Sequence, residues 1–174
     1  HGQLSFQGAL SYARERLAMR SLTGPKNADG PADPIIVHPD VRRMLLTQKA
    51  FVEGSRALIY FLAQQGDIVD RGDEEGAKKA DDLMGMLTPI GKAFVTETGF
   101  EVANHGVQIY GGHGFIREWG MEQIVRDARI AMGAAKAKAG ASTLQSMRAE
   151  DARIGAQAGG AGGAPHFGDF YAAK

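Results

Sequence analysis

Between Gln108 and Arg129 the chain reads Gln-Ile-Tyr-Gly-Gly-His-Gly-Phe-Ile-Arg-Glu-Trp-Gly-Met-Glu-Gln-Ile-Val-Arg-Asp-Ala-Arg. An apolar helical pattern enters this stretch from Phe94, and a second helical pattern leaves it at Met121. A glycine turn therefore has to join two helices. Gly111, Gly112 and Gly114 at this density require backbone at φ > 0, or backbone that another group approaches closely. A helix end, a turn and a fresh helix start within about ten residues leave several backbone N–H groups free, which suits an anion or a phosphate. The same glycines also read as a helix C-cap followed by an ordinary turn. The only tryptophan, Trp119, lies in this turn.

The rest of the pattern is helical. Leu4–Met19 reads as a helix with Leu4, Ala9, Leu10, Ala13 and Leu17 on its apolar side and Arg14, Glu15 and Arg16 on its solvated side. Gly24, Pro25, Gly30, Pro31, Pro34 and Pro39 interrupt regular structure, so Ser21–His38 reads as a surface loop, long enough to suggest a function. The next helix starts at His38-Pro39-Asp40, with His38 as a cap. Met44, Phe51 and Leu58 repeat at seven residues, as do Leu45, Val52 and Ile59. Two such rows make a wide apolar face of the kind found in a bundle core. Gly54 within it permits a close helix approach or is simply tolerated. Asp67–Gly72 ends this helix and Asp73–Glu75 opens another. There Lys78, Lys79, Asp81 and Asp82 form a solvated face. Met84, Met86, Leu87, Ile90, Phe94 and Val95 carry the core stripe, and Pro89 kinks or restarts the helix. No stretch reads as a β-strand. The expected fold is all-α, an up-and-down bundle of four or five helices over residues 1–132. Residues 133–154 read as a divergent, partly helical extension, and 155–174 as a glycine- and alanine-rich flexible tail.

Composition removes several functions. Lysine plus arginine and aspartate plus glutamate each number 20, so the formal charge is zero. Nucleic acid and anionic membrane surfaces, which select a basic excess, are not expected partners. Without cysteine there are no disulfides and no thiolate ligands or nucleophiles. No apolar run suffices to span a bilayer, and the first residues do not resemble a signal peptide, so the expected compartment is the cytoplasm. His113 has no partner at metal-ligand spacing, and no metal site is expected. His105 reads as a helix-end residue.

The glycine stretch from Gln108 to Phe115, with Arg117-Glu118-Trp119 and the run from Val125 to Ile130, resembles the C-terminal helical domain of the flavin-dependent acyl-CoA dehydrogenases. Tyr12-Ala13-Arg14-Glu15-Arg16 is similar to the first helix of that domain. Met19–Pro25 and Pro34–Leu46 are most similar to the branch of larger bacterial enzymes, which includes those acting on 3-methylmercaptopropionyl-CoA. The resemblance runs from about Phe6 to Met132.

What the resemblance implies is specific. Arg16 matches the arginine that reaches the FAD pyrophosphate, a task suited to a planar guanidinium fork. Gln108 matches the glutamine on the adenosine side of FAD, and Gly111 and Gly112 match the glycines that admit the cofactor. The flavin would be held mainly by a neighbouring subunit. Arg126, Asp127 and Arg129 match an Arg-Asp-Ala run and read as an ion-pair network. No catalytic residue is expected in the chain. The glutamate that most branches use to abstract the substrate α-proton falls on Ala135, and alanine is not a base. Lys136 and Ala137 stand where the family has glycine and threonine. The family's N-terminal helical and middle β-domains have no counterpart within these residues, a pattern that a truncated, frameshifted or fused gene product would give. The expectation is a portion of an acyl-CoA dehydrogenase that supplies an oligomer interface and part of an FAD site and is inactive alone. It would work as a homo-oligomer or with a full-length family member. The alternative is a non-catalytic helical scaffold derived from that family.

Overall fold

The computed structural model describes residues 1–133. Three long helices dominate: α1 (Gly2–Glu15), α2 (Pro39–Arg71) and α3 (Glu74–Tyr110). Short 3-10 turns occupy Ile35–Val37, Gly111–Phe115 and Arg117–Trp119. A fourth helix, α4, covers residues 121–133. The all-α, up-and-down bundle is the observed fold. Among the described residues the only β feature is an isolated bridge between Leu17 and Pro34. The expected extension over 134–154 and tail over 155–174, like Ala135, lie outside the described residues.

Local chemistry explains the boundaries. Pro39 sits in the first turn of α2 with Asp40 beside it, and neither strains a helix start. The hairpin between α2 and α3 turns over Gly72 and Asp73. Gly72 N–H closes α2 on the Ile68 carbonyl, and Asp73 caps α3 by accepting from Gly76 N–H at 2.8 Å. His38 occupies the N-cap position of α2, but its side chain does not cap. Its Nε2 lies 2.9 Å from the Ala18 carbonyl, tying the loop to the helix start.

Three helices meet at one backbone group. The Val102 carbonyl of α3 accepts from Ser5 Oγ of α1 at 3.2 Å and from Gln48 Nε2 of α2 at 2.9 Å. Ser5 and Gln48 are both fully buried. Gly106, one turn on, lets α1 come this close, because a Cβ there would strike Ser5 Oγ. Two apolar clusters flank the junction. Ala9, Ala13, Ile35, Met44, Leu45 and Ile109 join α1, α2 and α3, whereas Ala103, Met121, Ile124 and Ala128 seat α4 on α3.

Several expectations need correction. Helix α1 ends at Glu15 rather than Met19. Arg16 is extended (φ −69°, ψ 119°), and the following residues pair with the 33–35 segment instead of continuing the helix. Leu4 and Leu17 are exposed, and Ser5 takes the buried place on α1. Ser21–His38 is not purely a surface loop, since Asp33 and Ile35 within it are buried. Helix α3 neither stops nor restarts at Pro89 but runs through it. The lost hydrogen bond falls opposite Gly85, which is exposed, so water can serve the freed carbonyl. At Gly54 a Cβ would meet nothing within 4 Å, so this glycine is tolerated rather than needed for packing. The α2 and α3 stripes are only partly covered: Ile59, Met86, Ile90 and Phe94 remain exposed.

Candidate functional site

A cleft of about 370 Å³ opens where α1 ends, lined by Tyr12, Arg16, Ala18, Ile35, Ile109, Tyr110, Gly111, Gly112 and His113. Each wall has a local cause. Arg16 follows the last turn of α1, with its N–H on the Tyr12 carbonyl and its own carbonyl accepting from Ile35 N–H at 2.9 Å. Among the described residues its guanidinium has no acidic partner, which leaves its donors free. The opposite wall is the end of α3. Gly111 N–H bonds the Gln108 carbonyl, and Gly111 takes φ +57°, ψ −133°, a conformation reserved for glycine. Gly114 meets the second requirement of the motif, since a Cβ there would run into the Val107 backbone. Gly112 faces open space.

The floor of this region is aromatic. Tyr12 and Tyr110 stack with centroids 4.0 Å apart at 16°. His113 stacks on Trp119 at 4.9 Å and 11°, and its Nδ1 lies 2.8 Å from the Tyr12 hydroxyl. Trp119 also meets both tyrosine rings edge-on. Tyr110 donates its hydroxyl to the Gly8 carbonyl at 3.2 Å. Burial raises its phenol pKa, with Tyr12 and Glu15 adding to the shift.

Behind Arg16 stands a buried carboxylate. Asp33 Oδ2 accepts from Ser21 N–H at 2.8 Å, and Oδ1 accepts from Lys26 N–H at 2.9 Å and Asn27 N–H at 2.7 Å. Arg20 approaches Oδ1 at 3.4 Å and also donates to the Asn27 and Gly30 carbonyls. The Ser21 bond, chiefly, holds the Asp33 carboxyl down at about 2 against the opposing effect of burial, with help from Asn27, Lys26 and Arg20. The Asp33 backbone pairs with Ala18 and Met19, so this clasp fixes the extended segment that carries Arg16.

Of the four predicted cofactor residues, Arg16, Gly111 and Gly112 line the cleft. Gln108 is exposed on the last turn of α3 and does not line it. Sequence reasoning did not assign Tyr12, His113 or Asp33. Tyr12 and His113 both lie in the stretches that carry the resemblance, and that was the available signal. The intrahelical or interhelical ion-pair network expected for Arg126, Asp127 and Arg129 is present only at Arg126, which makes an intrahelical pair, while Asp127 and Arg129 take other partners. Arg126 pairs with Glu122 at 3.6 Å, Asp127 accepts from Gln123 at 2.7 Å, and Arg129 lies over the Phe100 ring at 5.4 Å. Helical spacing places Arg126 and Asp127 on different sides of α4. His105 sits inside α3, 3.7 Å from Glu101. Among the described residues no His, Asp or Glu group is disposed to hold a metal, and no helix is long and apolar enough to cross a membrane.

The model of the family described as "Acyl-CoA dehydrogenase, C-terminal domain" matches residues 3–145. The chain belongs to this family. The match continues past Met132, where the resemblance was expected to end. The chain is 48% identical over 126 residues to a 3-methylmercaptopropionyl-CoA dehydrogenase of Ruegeria pomeroyi, covering 72% of this chain and 21% of that protein. It is 35% identical over 127 residues to a butyryl-CoA dehydrogenase of Syntrophomonas wolfei, covering 72% and 20%. The chain thus spans about a fifth of the length of these relatives. The solved butyryl-CoA dehydrogenase of Megasphaera elsdenii superposes with a TM-score of 0.56 at 20% identity, over 82% of this chain and 33% of that one. That likeness establishes the acyl-CoA dehydrogenase C-terminal helical fold.

Proposed function

We propose that the chain is a portion of an FAD-dependent acyl-CoA dehydrogenase, an enzyme that desaturates an acyl-CoA thioester between its α- and β-carbons. Its contribution is one wall of the FAD site and a helical oligomer interface. The observation that carries this reading is the cleft that sets the Arg16 guanidinium, unpaired among the described residues, against Gly111 and Gly112. A guanidinium supplies a bidentate pair of charged donors for phosphate oxygens, and a glycine wall lets a diphosphate approach the backbone. These residues fit the pyrophosphate of FAD. Bound flavin would accept the substrate hydride, while the chain's own groups would bind and orient the cofactor. Gln108 would reach the adenosine side from the rim. Residues 1–132 form the functional bundle, and the proton acceptor lies outside the 174 residues because Ala135 stands at the family's glutamate position.

The chain alone should therefore give no dehydrogenation. General-base catalysis contributes about 10²–10⁴-fold, and positioning of the acyl group against flavin adds more. An electron-acceptor assay with several acyl-CoA thioesters, run on the chain alone and with a full-length family member, tests this. Turnover by the chain alone would overturn the assignment and point to a carboxylate such as Glu118, Glu122 or Glu150 as the base. Flavin absorbance tests the cofactor: FAD held weakly by the chain, or held in the assembly, supports the reading. A second reading, a non-catalytic scaffold, draws on the exposed apolar side chains of α2 and α3. Colourless, self-associated protein would favour it.

A further inference from the structure

The geometry points to His113 as a second anion-binding group in the Arg16 cleft, one whose contribution changes with pH. This rests on the flavin reading above and adds a residue that the reading does not use. His113 lines the cleft and is only half-buried. Its Nδ1 is engaged by the Tyr12 hydroxyl at 2.8 Å, while its Nε2 has no partner among the described residues. With the Tyr12 hydroxyl as donor, Nδ1 of the neutral ring accepts and the ring proton resides on Nε2. Tyr12 thereby fixes the tautomer that keeps an N–H donor on the free nitrogen. Trp119, stacked parallel to the ring at 4.9 Å, fixes its plane. A phosphate oxygen held by Arg16 across the same cleft would take that donor.

Protonation strengthens the arrangement. Imidazole is the side chain that ordinarily changes charge between about pH 5 and 8. The imidazolium donates from both nitrogens, and Tyr12 turns to accept. The groups that face His113 are Tyr12 from α1, the Arg16 cation beyond it and Tyr110 from α3. Glu15 acts on Tyr110, and Arg117 and Glu118 precede Trp119 in its turn. A bound anion would favour a second positive charge beside it in the cleft. Anion binding and His113 protonation are therefore linked, each favouring the other.

FAD is the suitable probe, because its bridging diphosphate carries no group that titrates between about pH 6 and 8. Binding of FAD, followed by flavin fluorescence, is expected to be about three- to ten-fold tighter near pH 6 than near pH 8, since charge-assisted bonds are roughly twice as strong as neutral ones. His113→Gln keeps an N–H donor but cannot titrate, and its affinity should be flat across this range. A measurement on the unaltered chain makes the test independent of that variant's folding. Trp119, the only tryptophan, should lose fluorescence as the stacked ring protonates, and FAD should move the midpoint of that loss to higher pH. Binding of FAD without pH dependence, or a midpoint that FAD leaves in place, overturns the role of His113 alone. Failure to bind FAD at either pH, by the chain and by its assembly with a full-length family member, overturns it together with the flavin reading.

Discussion

At the scale of single residues, the turn after α3 separates two glycines that the sequence presents as equals. Gly111 holds φ +57° with ψ −133°, a region that side chains strain to enter, whereas Gly112 has an ordinary conformation with nothing within 4 Å of a Cβ position. Gly111→Ala should cost about 1–3 kcal/mol of stability, and Gly112→Ala should change it little. Thermal unfolding of the two variants checks this, and equal losses would contradict it. The Asp33 clasp makes a pH prediction whose sign follows from its depressed carboxyl. Unfolded, that group titrates at 3.8; folded, it titrates at about 2. Its stabilising effect is complete above about pH 4 and is lost as pH falls through about 2. Asp33→Asn should lower the melting temperature at neutral pH, since an amide offers only one oxygen to three N–H donors. It should also flatten the acid limb of the stability curve between about pH 4 and 2, which melting temperatures measured across that range would show. The demand for glycine in the turn was legible in the sequence, but the Asp33 clasp was not. The spacing of Asp33 from Ser21, Lys26 and Asn27 has no period, and a buried carboxylate in a proline-rich loop looks like any exposed one until the chain closes around it.

At the scale of elements, the helices were legible because the signals for them are local. The paired rows in α2, Pro39 at its start and Asp73 before α3 all act within a turn or two, and each is found where local chemistry puts it. The end of α1 was not legible. Leu17 continues the apolar period, but Leu17 and Ala18 are drawn off by pairing with Pro34 and Asp33, a contact between residues far apart in sequence. Pro89 looks like a break when only its own few residues are considered. Helix α3 extends for 37 residues and tolerates the defect at an exposed position. Removing the defect should then be stabilising. Pro89→Ala restores the hydrogen bond to the Gly85 carbonyl and is expected to add up to about 3 kcal/mol. Urea denaturation measures it through the transition midpoint. A lower midpoint would mean that the bend itself is needed for packing against α2.

At the scale of the whole molecule, the bundle leaves apolar surface that its own helices do not cover. Met86, Ile90 and Phe94 follow one another at four-residue spacing along α3, so they lie on one face, and they are 60%, 57% and 40% exposed. The sequence marked these positions as core correctly in chemistry but not in location, because periodicity reports that a face is buried without saying against what. Within the described residues that face has no cover. A row of large side chains left in water favours association, since burying apolar surface stabilises by about 25 cal/mol per Å². The chain is therefore expected to self-associate, or to join a full-length family member, through this face. Ile90→Glu provides the test. The residue is exposed, so the charge should leave helix content and the melting of a single chain nearly unchanged, while an interface that buries it would lose an apolar contact and gain an unpaired carboxylate. Light scattering should then show the unaltered chain as an oligomer at roughly tens of micromolar and the variant shifted towards monomer. A monomer for the unaltered chain at that concentration, or an unchanged oligomer for the variant, would place the association elsewhere or remove it.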